Sequence, residues 1–432
     1  MTNTKSNILP IVVMYLLFFM VAFVTNLCNP MAVIVKNNFE MSNFAAQLGN
    51  AANFIAYAIM GIPAGLLLKK IGYRKTALVA ILVGFIGVFL QYMSGWETIQ
   101  SFGVYLAGAF VAGFCMCMLN TVVNPMLNTL GGGGNKGNQL VQFGGVCNSL
   151  AAVLVTIIMG SLIADATKAE ISDATPALMI ALGVFAFAFL VLLLVNIPEP
   201  ELENKEQPTD GKTYSAFSFR HFNLGILAIF LYMGIEVGVP TYIMQYLTTA
   251  PNAATPGLGI NAGIVGMIVA VYWLLMLVGR LLGGMLAGKV SSRAQITSVS
   301  ILCIVLVLLG MFLPTDVMVK IPGIDWATLT VMTAQVPIGI FALILVGLCT
   351  SVMWGGIFNM AVEGLGKYTS IASGAFMTMV CGGGILITLQ GKLADVFSNF
   401  QMSYIVVLGC AAYILFYAIK GYKNVNTDIR TE

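Results

Sequence analysis

PEPELENKEQPTDGK, Pro198 to Lys212, is the run on which the fold turns. It forms most of the longest polar stretch in the chain, Pro198 to Arg220, and everything to either side of it is apolar. Working outward, six long apolar stretches precede it, near 8–35, 44–68, 76–94, 102–130, 139–164 and 177–197. Six more follow, near 222–248, 262–288, 294–314, 332–362, 370–394 and 402–421. A helix needs about 20 apolar residues to cross a hydrocarbon core of about 30 Å. The pattern therefore predicts an all-α integral membrane protein with twelve transmembrane helices. They fall into two six-helix bundles, residues 1–197 and 222–432, with 198–221 as the joint. The fourth and tenth runs exceed one span, which predicts tilt or interruption there.

Composition agrees. Of 432 residues 59% are hydrophobic and 9% charged, where a soluble chain carries about 25% charged residues. The 46 glycines suit helices packed closely in lipid. Net charge is +3 without a basic block, so no nucleic-acid partner is expected. One histidine, His221, excludes a multi-histidine metal site. The eight cysteines lie in apolar stretches without a CxxC pair and read as reduced core residues. The first apolar run is long and meets no small-residue cleavage site, so it reads as a span rather than a signal peptide.

Lysine and arginine placement predicts the sidedness. With the N-terminus inside, the inner loops hold Lys69, Lys70, Arg74, Lys75, Lys136, Lys205, Lys289, Arg293 and others, while the outer loops hold Lys36, Lys168 and Lys320. Both termini and the linker are expected in the cytoplasm of a bacterial inner-membrane protein.

The halves repeat weakly. GLLLKKIGYR (Gly65–Arg74) matches GMLAGKVSSR (Gly284–Arg293), and NPMLNTLG (Asn124–Gly131) matches NMAVEGLG (Asn359–Gly366). NLCNP ends at Pro30 and EVGVP at Pro240, so Asn26 and Glu236 each stand four residues before a proline. Duplicated halves around a midplane site are the build of a rocking transporter.

Glu236 is the acid nearest the middle of a predicted span, and intramembrane acids mark ion or proton paths. Burial favours the protonated form of a carboxyl, which would let Glu236 take up and release a proton. A neutral, hydrogen-bonded structural acid is the alternative. The amides Asn26, Asn120, Asn148 and Asn359 offer donors and acceptors for sugar hydroxyls, or glue helices together. Trp273 and Trp354 lie deep in their spans and could stack on a sugar face or pack against neighbours. Lys70, Arg74, Arg280, Lys289 and Arg293, read as lying near the inner face, are topology signals, gating residues that pair with helix C-termini and Glu363, or both. Pro30, Pro125, Pro240 and the triplet Gly382–Gly384 supply bends or close packing. GGGG at Gly131–Gly134 lacks the GK[ST] of a phosphate loop.

IPAGLLLKKIGYRK (Ile62–Lys75), NTVVNPMLNTLG (Asn120–Gly131), FGGVCNSLAAVL (Phe143–Leu154), YMGIEVGVPTYIMQY (Tyr232–Tyr246), VGRLLGGMLAGKV (Val278–Val290) and, most specifically, GLGKYTSIASGAFMTMVCGGGILITLQGKLAD (Gly364–Asp395) carry a resemblance over nearly the whole chain. The sequence resembles the fucose–galactose–glucose:proton symporters of the major facilitator superfamily. The resemblance implies a major facilitator fold and alternating access. Fucose permeases have acids in spans one and four, where this chain has Asn26 and Asn120, and Gly145 replaces a span-five glutamine. Glu236 matches the acidic span-seven position of hexose-type relatives, which makes it the expected carrier of a coupled proton.

The expectation is a transporter, not an enzyme, importing a monosaccharide or derivative by cation symport as a monomer in the bilayer. No cofactor is expected beyond the coupling ion, proton or sodium. Alternatives are a sialic acid or amino-sugar symporter, an exporter of drugs or metabolites on the same fold, and, remotely, a polytopic membrane enzyme. With Arg280 placed near the inner end of its span, a neutral substrate is favoured.

Overall fold

The computed structural model describes residues 8–130, 134–162, 169–195, 197, 215–286, 290–325, 330–365, 369–426 and 429. Among the described residues, twelve helices are long and apolar enough to cross a membrane. The first half contains α1 (Ile8–Asn38), the short α2 (Asn43–Ala46), α3 (Leu48–Ile71), α4 (Tyr73–Met93), α5 (Phe102–Leu130), α6 (Gly134–Leu162) and α7 (Thr175–Leu194). The second contains α8 (Arg220–Thr248), α9 (Ala262–Leu286), α10 (Ser292–Phe312), strands β1 (Met318–Asp325) and β2 (Thr330–Pro337), α11 (Gly339–Val362), α12 (Thr369–Thr378), α13 (Gly382–Phe397), α14 (Phe400–Ser403) and α15 (Ile405–Phe416). Most of the linker expected at 198–221 lies outside the described residues, and α8 already begins at Arg220.

The tenth span is shorter than its apolar run. Residues 332–337 belong to β2, which pairs antiparallel with β1 from Met318↔Pro337 to Asp325↔Thr330. TVMTAQVP is rich in β-branched residues, and Pro337 disfavours helical backbone at Val336, so the helix begins only at Gly339. The eleventh span is broken where its glycines predict. A 3₁₀ turn, Met379–Cys381, separates α12 from α13.

Each half buries its apolar faces internally: α4 and α3 on α5 and α1 on α6 in the first, α8 on α11, α13 and α15 in the second. Between the halves α6 meets α9, and α3 meets α12 and α13. The α6–α9 approach is close: a Cβ on Gly160 would lie 2.6 Å from the Ala262 carbonyl oxygen. Outward faces stay apolar, with Ile62, Leu66, Leu194 and Met285 exposed as lipid-facing helices require.

Twelve crossings place residues 8 and 421 on one face, the termini face. Gly160 and Ala262 lie toward the opposite face, which also carries the hairpin.

Candidate functional site at the seam between the halves

Pro240 has no N–H to give, so the carbonyl of Glu236, four residues earlier, loses its helical partner. The Tyr272 hydroxyl of α9 donates to that carbonyl at 3.1 Å and also lies 3.3 Å from the Thr350 hydroxyl of α11. This fixes α8 to its neighbours at the level of Glu236. The Glu236 side chain is 13% exposed, and Arg280 Nη2 donates to its Oε1 at 3.4 Å.

Arg280 was expected near the termini face. Its Cα lies toward that end of α9, but its long side chain carries the guanidinium to Glu236. From there it reaches the other half: Nη1 donates to the Gly145 carbonyl at 2.6 Å and to Ser149 Oγ at 2.9 Å, both on α6. One guanidinium thus joins the halves, with a carboxylate on one side and neutral oxygens on the other. A Cβ on Gly145 would lie 3.6 Å from Arg280 Nη1, an ordinary contact distance, so the guanidinium passes directly beside this glycine.

Asn148, half-buried, is three residues from Gly145 on the same face of α6. Asn120 donates from Nδ2 to the Tyr57 hydroxyl at 3.0 Å, and its own carbonyl accepts from Asn124 Nδ2 at 2.9 Å. Asn26 is 7% exposed and turns back on its own helix, donating to the Ala22 carbonyl at 2.7 Å. In this conformation Asn26 is therefore a helix-internal amide.

Trp273 is buried, edge-on to Tyr272 at 5.2 Å, with its Nε1 lacking a protein partner. Trp354 packs between Tyr232, one turn before Glu236, at 6.0 Å and Phe376 at 5.6 Å. Asn359 is exposed on the same helix, five residues on and so rotated by roughly 140° from Trp354. The two do not share a face. Glu236, Arg280, Ser149, Trp354 and Tyr232 are brought together; among the described residues no hydrogen bond ties Asn26, Asn120 or Asn359 to them.

Arg74 and Arg293, at the termini face, each make contacts within their own half. Arg74 donates from Nε to the Leu192 carbonyl at 3.0 Å and from Nη2 to Leu193 at 2.7 Å, capping α7. Arg293 lies 5.0 Å over the Tyr422 ring. Lys70 is exposed, and Lys289 lies outside the described residues. His221 Nε2 donates to the Glu363 carbonyl at 3.0 Å, stapling the start of α8 to the end of α11.

Two six-helix bundles that meet along a seam, with a buried acid–arginine pair whose arginine reaches across it, define a polytopic membrane transporter. The chain belongs to the Major Facilitator Superfamily, whose family model matches residues 14–388. It is 28% identical over 414 residues to a glucose/galactose transporter of Brucella abortus (strain 9-941), covering 95% of this chain and 93% of that one. An L-fucose-proton symporter of Escherichia coli (strain K12) is 22% identical, covering 96% and 94%. The crystal structure of the superfamily transporter FucP in its outward conformation superposes with a TM-score of 0.67 at 22% identity, over 96% of this chain and 98% of that one.

Proposed function

We propose that this protein imports a neutral monosaccharide by proton symport, with both termini in the cytoplasm. The observation that carries the reading is Arg280, held at once by Glu236 of one half and by Gly145 and Ser149 of the other. Whole-length similarity to a glucose/galactose transporter and an L-fucose-proton symporter supports the substrate class. The lysines and arginines at the termini face support the orientation.

Glu236 and Arg280 both belong to the second half, so rocking that parts α6 from α9 must break the bonds of Arg280 to Gly145 and Ser149. An ionised Glu236 holds the guanidinium by charge; a protonated one releases it. The protonation state of Glu236 therefore sets how firmly Arg280 is drawn into its own half and away from α6, and this ties proton movement to the conformational change. Sugar hydroxyls bound by Asn120, Asn148 and the Trp273 indole N–H, over the Trp354 ring, would bias the same equilibrium.

The case for a neutral substrate rests on different ground than in the sequence. An arginine does stand at mid-span, but Glu236 balances its charge, so no uncompensated cation awaits a carboxylate. A sialic acid carrier is the second reading, in which the substrate carboxylate would displace Glu236 from Arg280.

The test is uptake of labelled glucose, galactose, L-fucose, N-acetylglucosamine and sialic acid by purified protein in liposomes, under an imposed proton or sodium gradient. Proton-driven accumulation of a neutral hexose is expected. Accumulation of sialic acid alone would favour the second reading, and uptake of none would return the exporter.

A further inference from the structure

Away from the central pair, buried polar groups gather beneath the face opposite the termini, where the seam is covered by a cluster from both halves. Asp395, near the end of α13, accepts from the Asn43 side-chain amide at 2.7 Å and from the Asn43 and Phe44 backbone N–H groups at 3.2 and 2.9 Å. Lys36 donates to Asn43 Oδ1 at 2.7 Å and to the Thr249 hydroxyl at 3.2 Å, and stands 5.7 Å from the Phe400 ring centre. The sequence reading placed Lys36 in a loop; it is the last turn of α1.

Under this cover lie three amides. Gln47 follows Asn43 by four residues and Gln245 precedes Thr249 by four, so each sits about one turn deeper than a residue that Lys36 bridges. Asn50 donates to Gln47 Oε1 at 2.6 Å, which leaves Gln47 Nε2 and Asn50 Oδ1 without a protein partner. Both amide atoms of Gln245 are likewise unpartnered. All three residues are at most 1% exposed. Amides so enclosed call for partners beyond the protein atoms around them.

We propose that Gln47, Asn50 and Gln245 form a second hydroxyl-binding subsite on the approach to the central site, covered in this conformation by Asp395, Asn43, Lys36 and Thr249. The free atoms decide the ligand class. Gln47 Nε2 and Gln245 Nε2 are donors, while Asn50 Oδ1 and Gln245 Oε1 are acceptors. A metal cation would use only the acceptors; a sugar hydroxyl both donates and accepts, and so matches the set. The subsite spans both halves, so parting them at this face uncovers it. It rests on the reading of the chain as a sugar carrier with cytoplasmic termini, and would be the first site a sugar meets from outside.

Sidedness supplies the test. Initial uptake of labelled glucose and galactose is measured in right-side-out and inside-out membrane vesicles for wild type, Asn50→Leu and Gln245→Leu. Each substitution should raise KM for entry from the outer face by about tenfold, with KM from the cytoplasmic face nearly unchanged. Asn50→Ser and Gln245→Asn, which shorten the polar reach, carry the same prediction with a smaller rise, should the leucine variants fail to reach the membrane. Equal changes from both faces would make the amides structural and overturn the subsite, as would an unaltered KM from outside. Wild-type vesicles that carry neither sugar would sink the functional reading itself, and the subsite with it.

Discussion

At the centre of the seam an acid and an arginine meet through one contact of 3.4 Å, whereas at the face opposite the termini Asp395 and Lys36 are joined through the Asn43 side chain by hydrogen bonds of 2.7 Å. The central pair is enclosed and sparsely bonded on its acidic side, with Arg280 already turned toward α6. The cluster at the opposite face is densely bonded and Asp395 takes three N–H groups at once. A single long contact between buried charges is easily exchanged when one partner is neutralised. A shared network of short, charge-assisted bonds has to be broken together. The first suits a coupling element and the second a closure.

The sharpest way to break this contrast is at Arg280. Arg280→Leu leaves Glu236 enclosed without its partner and is expected to cost about 3–5 kcal/mol, read as a lower unfolding midpoint of the purified protein in detergent. Adding Glu236→Leu should recover most of that loss. Glu236→Gln alone should cost less, because Arg280 keeps Gly145 and Ser149. A single Arg280→Leu variant as stable as wild type would remove the buried pair from the account.

Asp395→Asn preserves shape and removes charge. It should weaken the closure by about 1.5–3 kcal/mol and lengthen the distance between spin labels at Trp96 and Val317, which lie in opposite halves on that face and are exposed. An unchanged distance distribution would mean that the cluster is passive. Gly391→Ala approaches the same closure sterically, since its Cβ would lie 2.5 Å from the Tyr242 hydroxyl and 3.0 Å from the Asn43 carbonyl oxygen. About 1–3 kcal/mol against the closed face is expected, by the same labels.

The smallest effect is Tyr272→Phe, which leaves the Glu236 carbonyl unpartnered for about 1 kcal/mol. Pro240→Ala in that background returns an N–H to the same carbonyl and should restore the unfolding midpoint. If it does not, Tyr272 acts through Thr350 instead.

How much of this was legible in sequence follows from what each signal reports. Span number came from apolar run length, which a bilayer imposes directly. The hairpin was hidden because TVMTAQVP is apolar enough to merge with the tenth run, although its β-branched residues and Pro337 point to a strand. Glu236 was legible because an acid in a span is rare. Arg280 was misplaced because depth was judged from its position along the helix, not from the reach of its side chain. Ser149 stood in a quoted motif, beside the Asn148 taken as the ligand. Asn43 and Asp395 are separated by 352 residues; no local pattern joins them, and Asp395 could be seen only as the end of a motif. The amides Gln47, Asn50 and Gln245 gave no signal, because a buried unpaired amide reads like any other until its surroundings are known.

The central claim is that Glu236 carries the proton that moves with the sugar. It is tested most directly by adding a transported hexose to a lightly buffered suspension of the protein in liposomes and following external pH. Wild type should produce sugar-dependent alkalinisation as protons enter with the substrate, and Glu236→Gln should produce none while still exchanging labelled for unlabelled hexose. Alkalinisation that persists in Glu236→Gln would contradict the account and place the coupling elsewhere in the seam.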